Sequence, residues 1–190
     1  MKKRMLYFLL ILFMITGCAS DSAEQIKIAT STRFLGEDYM TQGKHIAALK
    51  ELLNAEKIMP HDPFLHYDLG LVYMALEKYD LAEIHLQKAI DTKKDYTAAM
   101  NSLGIVFMRQ KKWDAAIAQF QETTNNLLYV TPHFPLNNMG SAYLGKKDYT
   151  RAEASFKEAL KAKPGFVYAI HGLATTYLAT DGIDKVRFGF

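Results

Sequence analysis

The stretch Leu69-Gly70-Leu71-Val72-Tyr73 decides the fold of this 190-residue chain, because its pattern returns at a nearly constant interval. A large apolar residue is followed by a small one, and an aromatic ring comes three positions later. The pattern occurs at residues 35–39, 69–73, 103–107, 139–143 and 173–177. The glycines lie at 36, 70, 104 and 140, so two steps are 34 residues long and the third is 36. A fixed period of this length predicts a stack of repeated units.

A second set of small and bulky residues keeps the same phase. Twelve residues after each glycine there is an alanine, at positions 48, 82, 116 and 152. Four residues further along a bulky side chain follows, at Leu52, Leu86, Phe120 and Phe156. Apolar residues spaced three and four apart form one face of a helix, and small residues allow two helices to approach closely. The pattern predicts helix pairs that bury their apolar faces against the next pair.

The period and the pattern together resemble the tetratricopeptide repeat, a helix–turn–helix unit of 34 residues. The resemblance implies an all-α fold, a right-handed superhelix (α-solenoid) of about four and a half units. The repeat domain is placed at 29–190, with units 29–62, 63–96, 97–130 and 133–166 and a partial unit 167–190. Two features depart from the family pattern. Lys94 and Leu128 stand where proline usually ends a unit, and the connection between the third and fourth units is longer by two residues.

The fifth unit is incomplete in the sequence. A turn between its two helices is expected near Asp181-Gly182. Val186 and Phe190 then stand where the alanine and the phenylalanine occur in the second helix of a unit. Three explanations stay open: a partner covers the exposed face, the protein dimerises there, or the open reading frame is truncated.

Residues 1–17 predict a secretory signal peptide of the lipoprotein type. Lys2, Lys3 and Arg4 precede an unbroken apolar run of eleven residues from 5 to 15. This run is too short for a transmembrane helix, which needs about 20 residues. The segment Ile15-Thr16-Gly17-Cys18 resembles the bacterial lipobox, which implies cleavage before Cys18 and attachment of lipid, such as palmitate chains, to this residue. An uncleaved anchor, or a plain signal with an incidental cysteine, is the alternative.

Residues 18–28 are predicted to form a lipidated tether. More than one acyl chain anchors a protein stably to a membrane. Because Ala19 rather than aspartate follows Cys18, the resemblance to enterobacterial lipoproteins implies the outer membrane, facing the periplasm, with the inner membrane as the alternative. The ten residues after Cys18 reach at most about 33–36 Å when extended.

Charge and composition argue against several functions. Residues 1–17 hold three of the 23 basic residues and none of the 20 acidic ones, so the remainder is neutral and has no electrostatic attraction to nucleic acid. The sequence contains neither a glycine-rich phosphate loop nor an HExxH motif, and its single cysteine is assigned to lipid. His61 and His66, the closest histidine pair, are interpreted as solvated turn residues. We therefore predict no catalytic residue, no cofactor, no metal site and no nucleic-acid partner.

In tetratricopeptide arrays the first helices of successive units line a groove that binds a protein partner. The resemblance places in this groove Arg33, Phe64, Tyr67, Leu71, Met74, Asn101, Ile105, Met108, Phe134, Asn137, Tyr168 and His171. An apolar lining with a few asparagines suits an extended or helical peptide that carries hydrophobic anchors. The basic clamp of chaperone-binding members is not formed. The alternative is that Phe64, Met74 and Met108 pack between adjacent units.

A lipobox followed by these repeats resembles the type IV pilus biogenesis and stability lipoproteins, the pilotin-like PilF/PilW family. A further hint is the segment Leu127-Leu128-Tyr129-x-x-Pro132, which runs into Asn137-Asn138-Met139-Gly140. The resemblance implies a membrane-anchored scaffold that binds or stabilises the outer-membrane secretin, with a secretin subunit or another pilus-assembly component as partner. Two alternatives stay open: a general periplasmic adaptor that recruits cell-wall hydrolases or proteases, and an accessory protein that binds cell-wall glycan.

Overall fold

The computed structural model describes residues 2–125 and 131–180, with residues 2–21 given by their backbone path. Within these ranges the chain forms nine α-helices and no strand, as the sequence predicts. The helices are α1 (Lys2–Thr41), α2 (His45–Glu56), α3 (Pro63–Ala75), α4 (Tyr79–Thr92), α5 (Thr97–Arg109), α6 (Trp113–Asn125), α7 (His133–Gly145), α8 (Tyr149–Ala162) and α9 (Val167–Ala179).

Helices that follow each other along the chain pack side by side, so that each helix also touches the unit before or after its own. The first helices of successive units contact one another as well, from α1 to α3, α5, α7 and α9 in turn. The second helices, α2, α4, α6 and α8, make no such contacts with one another in the described part of the chain. The first helices are therefore closer together and line the inner, concave side of a curved array.

Small residues in the first helices let the second helices come close. A β-carbon placed on Gly70 would lie 2.6 Å from Cγ of Leu86, and one on Gly140 would lie 2.8 Å from the ring of Phe156. The ring of Phe156 also lies directly against Gly172, and it is fully buried. One side chain of the fourth unit therefore fills the space beside two first helices, α7 and α9.

The two helices of a unit are joined by the same turn in the first four units. Its central residue has a positive φ, between 57° and 72°, and is Gly43, Glu77, Lys111 or Lys147. The residue after it donates its N–H to the carbonyl of the aromatic residue near the end of the first helix, as Lys78 does to Tyr73 at 2.8 Å. This hydrogen bond is typical of a Schellman helix end. Glycine adopts the left-handed conformation most easily, yet it holds this place only in the first unit.

The connection into the second unit is fixed by the residues that begin α3. Asp62 accepts a hydrogen bond at Oδ1 from the N–H of Leu65 at 2.6 Å, which caps the helix. Pro63 occupies the first turn, where its missing N–H leaves no intrahelical bond unmade. Asp62 and Pro63 therefore end the connection and begin α3.

Two predicted features lie outside the described residues. The long connection between the third and fourth units, including Leu127, Leu128 and Tyr129, falls mostly on 126–130. The turn, Val186 and Phe190 expected after α9 fall on 181–190.

The first helix is longer than the sequence predicts. It begins at Lys2 and continues to Thr41, so the tether at 18–28 is helical rather than extended. Neither proline nor glycine occurs between Cys18 and Ala29 to end the helix. Ten helical residues span about 15 Å instead of about 33–36 Å. Among the residues whose side chains are described, no helix combines the length and apolar character needed to cross a membrane.

Candidate functional site

The residues predicted to line a groove lie on α1, α3, α5, α7 and α9, on the concave side of the array. Their exposure separates them into two groups. The open group comprises Phe64, Phe134 and Tyr168, which are 42%, 43% and 70% exposed, together with exposed His171. The half-buried group comprises Arg33, Tyr67, Leu71, Met74, Asn101, Ile105, Met108 and Asn137.

The open aromatic rings belong to a larger feature, which we call the aromatic rim and define as Phe64, Tyr96, Phe134, Phe166 and Tyr168. Phe64 meets Tyr96 edge-on with ring centroids 5.5 Å apart, and Phe134 meets Phe166 in the same way at 5.4 Å. Tyr168 lies 5.4 Å from Phe166. In both edge-on pairs, one ring lies in the first turn of a unit's first helix. The other ring belongs to the residue that comes just before the first helix of the next unit. The same contact therefore covers two unit boundaries, the one between the second and third units and the one between the fourth and fifth.

Sequence reasoning missed Tyr96 and Phe166, although a signal was present. Each stands immediately before a first helix, at the same position of its unit, and each is aromatic. Both contact a lysine that also shares its position: the ammonium of Lys93 lies 4.9 Å from the ring of Tyr96, and that of Lys163 lies 5.5 Å from Phe166. Lys93 is also 4.7 Å from the ring of Phe64. These cation–π contacts place positive charge beside the rings.

Arg33 is engaged within the protein rather than offered to a partner. Its Nη1 lies 2.7 Å from Oε1 of Glu37 and 2.8 Å from Oδ2 of Asp68, which belongs to the next unit. The side chains of Arg33 and Asp68 are only 14% and 8% exposed. Burial, and next the negative charge of Glu37, raise the pKa of Asp68 to about 7, against the opposing effect of Arg33. Arg33 thus joins α1 to α3.

The asparagines repeat this arrangement between the third and fourth units. Asn138 donates from Nδ2 to Oδ1 of Asn101 at 3.2 Å, and Asn137 donates to Oδ1 of Asn138 at 3.4 Å. Asn101 and Arg33 hold the fifth position of their units, and Asn138 and Asp68 hold the sixth position of the next. Oδ1 of Asn137 is buried and has no hydrogen-bond partner among the described residues.

Several half-buried groove residues contribute to the core. Tyr67 and Met74 pack against the buried cluster of the first three units, and Ile105 and Met108 pack against the cluster that contains Phe120. Met74 and Met108 therefore pack against the core, whereas Phe64 contacts Tyr96 and still exposes 42% of its surface. Cys18 lies in α1, and its side chain is outside the part of the chain whose side chains are described.

A curved array of helix pairs with an aromatic concave face defines the class of fold: the chain is an all-α superhelix of tetratricopeptide repeats. The profiles of the family described as tetratricopeptide repeat match residues 67–125 and 135–166. Such scaffolds are typically non-catalytic.

Within that class the chain is similar to type IV pilus proteins. The type IV pilus assembly protein PilF of Pseudomonas aeruginosa is 24% identical over 127 residues, which are 67% of this chain and 50% of PilF. The solved structure of Pseudomonas aeruginosa PilF superposes with a TM-score of 0.74 at 20% identity, covering 83% of this chain and 71% of the other. PilW, described as a widely conserved type IV pilus biogenesis factor, gives a TM-score of 0.74 at 24% identity, covering 80% and 70% of the two chains. The predicted resemblance to these proteins is confirmed.

Relatives from other contexts share the repeats too. The Hsp70-Hsp90 organising protein of Plasmodium falciparum is 26% identical in an alignment of 157 residues that covers 66% of this chain. The chain spans 28% of that protein and half of PilF. It therefore corresponds to a part of each of these curated relatives.

Proposed function

We propose that this protein is a lipid-anchored scaffold of type IV pilus assembly, which faces the periplasm from the outer membrane and binds a subunit of the secretin. The observation that carries the proposal is the aromatic rim, in which Phe64, Phe134 and Tyr168 expose their rings on the concave side of the array. The similarity to PilF and PilW supports the assignment to pilus assembly.

The rim suits a peptide segment with hydrophobic anchors. Aromatic rings bury large areas at little cost in side-chain entropy, and exposed rings on a concave surface are preferred contact points for a partner. Since Arg33 is already paired with Asp68 and Glu37, recognition of a terminal carboxylate through that residue is disfavoured.

A deletion strain tests the role in pilus assembly. Without the gene, secretin subunits should fail to form stable multimers in the outer membrane, and twitching motility should be lost. Normal multimers and normal twitching would contradict the proposal. A pull-down dominated by cell-wall hydrolases or proteases, with no secretin, would instead favour the periplasmic adaptor.

The double variant Phe134→Ala/Tyr168→Ala is expected to weaken binding to the purified periplasmic region of the secretin subunit by about 30-fold or more, the loss typical of removing interface hot spots. Both rings are open, so the fold should tolerate their removal. Ile84→Ala is the matched control, because Ile84 is 50% exposed but lies on α4, a second helix. Isothermal titration calorimetry measures the affinities, and equal affinities for the two variants would refute the rim as the binding surface.

The anchor is tested at Cys18. Wild-type protein made in cells fed with labelled palmitate should carry the label and fractionate with the outer membrane. Cys18→Ala should carry none and be released from the membrane, because the thiol that accepts lipid is absent. The Cys18→Ser variant, which keeps the size of the side chain, is a second control and should also carry no label. Unlabelled wild type would show that Cys18 is an ordinary cysteine.

A further inference from the structure

A cluster of two histidines and a glutamate lies where the first two units meet, away from the aromatic rim. His66 of α3 and His85 of α4 are buried, with 1% and 7% exposure, and their Nδ1 atoms are 3.1 Å apart. Oε1 of Glu56, at the end of α2, lies 3.8 Å from Nδ1 of His66 and 4.0 Å from Nδ1 of His85. In the described part of the chain this is the one group of three such side chains close enough to share an ion. The partner of His66 is therefore His85 and not the nearby His61.

The hydrogen bond on the far side of His66 fixes its tautomer. Nε2 of His66 lies 2.9 Å from the carbonyl oxygen of Pro60, which can only accept. Nε2 therefore carries the proton, and Nδ1 of the neutral ring directs its lone pair towards Glu56 and His85. A ligating imidazole that donates its other N–H to a backbone carbonyl is the usual arrangement at a metal centre.

The ring of His85 is stacked on Tyr73 with centroids 5.3 Å apart, which holds its orientation. Without an ion, Nδ1–H of His85 can donate to Nδ1 of His66. Ligation at Nδ1 of His85 moves that proton to its own Nε2, so the ring stays neutral and no co-reactant is needed.

We propose that Glu56, His66 and His85 bind a Zn²⁺ ion. Two imidazoles and one carboxylate are a common zinc ligand set that leaves the fourth position to water. With ligands about 2.0–2.1 Å from the metal, neighbouring donors in a tetrahedron are about 3.3 Å apart. The two Nδ1 atoms already match this spacing, and Oε1 of Glu56 must move inward by well under 1 Å.

The surroundings allow an ion to enter and to be retained. Glu56, His66, His61 and Lys88 line a cleft that opens to solvent. Lys88 Nζ lies 3.9 Å from Oε1 of Glu56, but its side chain is 50% exposed and can turn outward when a cation takes its place. Since the three ligands come from α2, α3 and α4, a bound ion would join the first unit to the second.

Calorimetric titration of the full chain, held in mild detergent, with Zn²⁺ alone tests this site. One saturable equivalent should bind, and Glu56→Gln and His85→Gln should each weaken it by about 10–100-fold or more. His171→Gln, an exposed histidine elsewhere, is the matched control and should bind as the wild type does. Co²⁺ in place of Zn²⁺ should give the intense visible bands of a tetrahedral site.

Two results would overturn the proposal: no saturable binding to the wild type, or equal binding to all the variants. Circular dichroism reports whether each variant folds. If His85→Gln does not fold, Glu56→Gln decides the matter, because the side chain of Glu56 is 24% exposed and the substitution keeps its shape.

Discussion

Replacing Phe156 with alanine is expected to destabilise the fourth and fifth units by about 3–5 kcal/mol, the usual cost of removing a fully buried aromatic ring. The ring is packed against Gly140 of its own unit and Gly172 of the next. Because glycines have no side chain that could move into the space, the cavity would stay open beside both first helices. Urea denaturation followed by circular dichroism measures the shift in the unfolding midpoint.

The chain itself supplies the control for this experiment. Leucine holds the equivalent place in the first two units, at Leu52 and Leu86, so Phe156→Leu should cost less than about 1.5 kcal/mol. Val167→Ala, at a residue that is 71% exposed on α9, should change stability by less than about 0.5 kcal/mol. A midpoint for Phe156→Ala equal to that of Val167→Ala would show that the ring does not bind the two units together.

Replacing Arg33 with alanine is expected to cost about 1–3 kcal/mol at about pH 8, because Asp68 is left buried without the cation and the hydrogen bond that Arg33 supplies. The double variant Arg33→Ala/Asp68→Asn should recover most of this loss, since no charge is then buried. Measuring Arg33→Ala, Asp68→Asn and the double variant gives the coupling free energy between the two side chains. Equal losses in the single and the double variant would contradict the role of the ion pair.

The cost of Arg33→Ala should also depend on pH. The pKa of Asp68 is raised from 3.8 to about 7 in the folded chain, with Glu37 as the other charge facing it. A folded state with a raised carboxyl pKa holds its proton more tightly than the unfolded state does. The contribution of Asp68 to stability is therefore full below about pH 4 and is lost as the pH rises through about 7. Without Arg33 the pKa rises further, so the variant should lose more stability at about pH 8 than at about pH 5.

The helix pairs could be predicted from sequence because each small residue meets its bulky partner within one unit. Gly70 and Leu86, for example, contact each other at a spacing that recurs in every complete unit. Residues that favour turns, Asp62-Pro63 and Gly43, stand at two of the connections between helices. The length of α1 was not predicted, because the lipobox suggested a boundary at Cys18 while the residues after it favour a helix.

The contacts between units were harder to predict. Arg33 pairs with Asp68, 35 residues later, and Asn101 with Asn138, 37 residues later. Each separation is one residue more than the local spacing of the repeats, 34 or 36. A search for complementary polar side chains at one repeat plus one residue would have found both pairs. His66 and His85 escape such a search, because they lie 19 residues apart on two helices of a single unit.

For the proposed anchoring at Cys18, the continuous first helix sets the direction from which the repeat array would meet a membrane. Ala29 of α1 is buried in the core, and Cys18 precedes it by about three helical turns. The two positions therefore share almost the same azimuth around the helix axis. Inserting or deleting one residue between them would turn the attachment point by about 100° while moving it only about 1.5 Å. A rigid helical spacer of this kind fixes both the direction in which the concave face points and its distance from the membrane. An extended chain of the same length would fix neither.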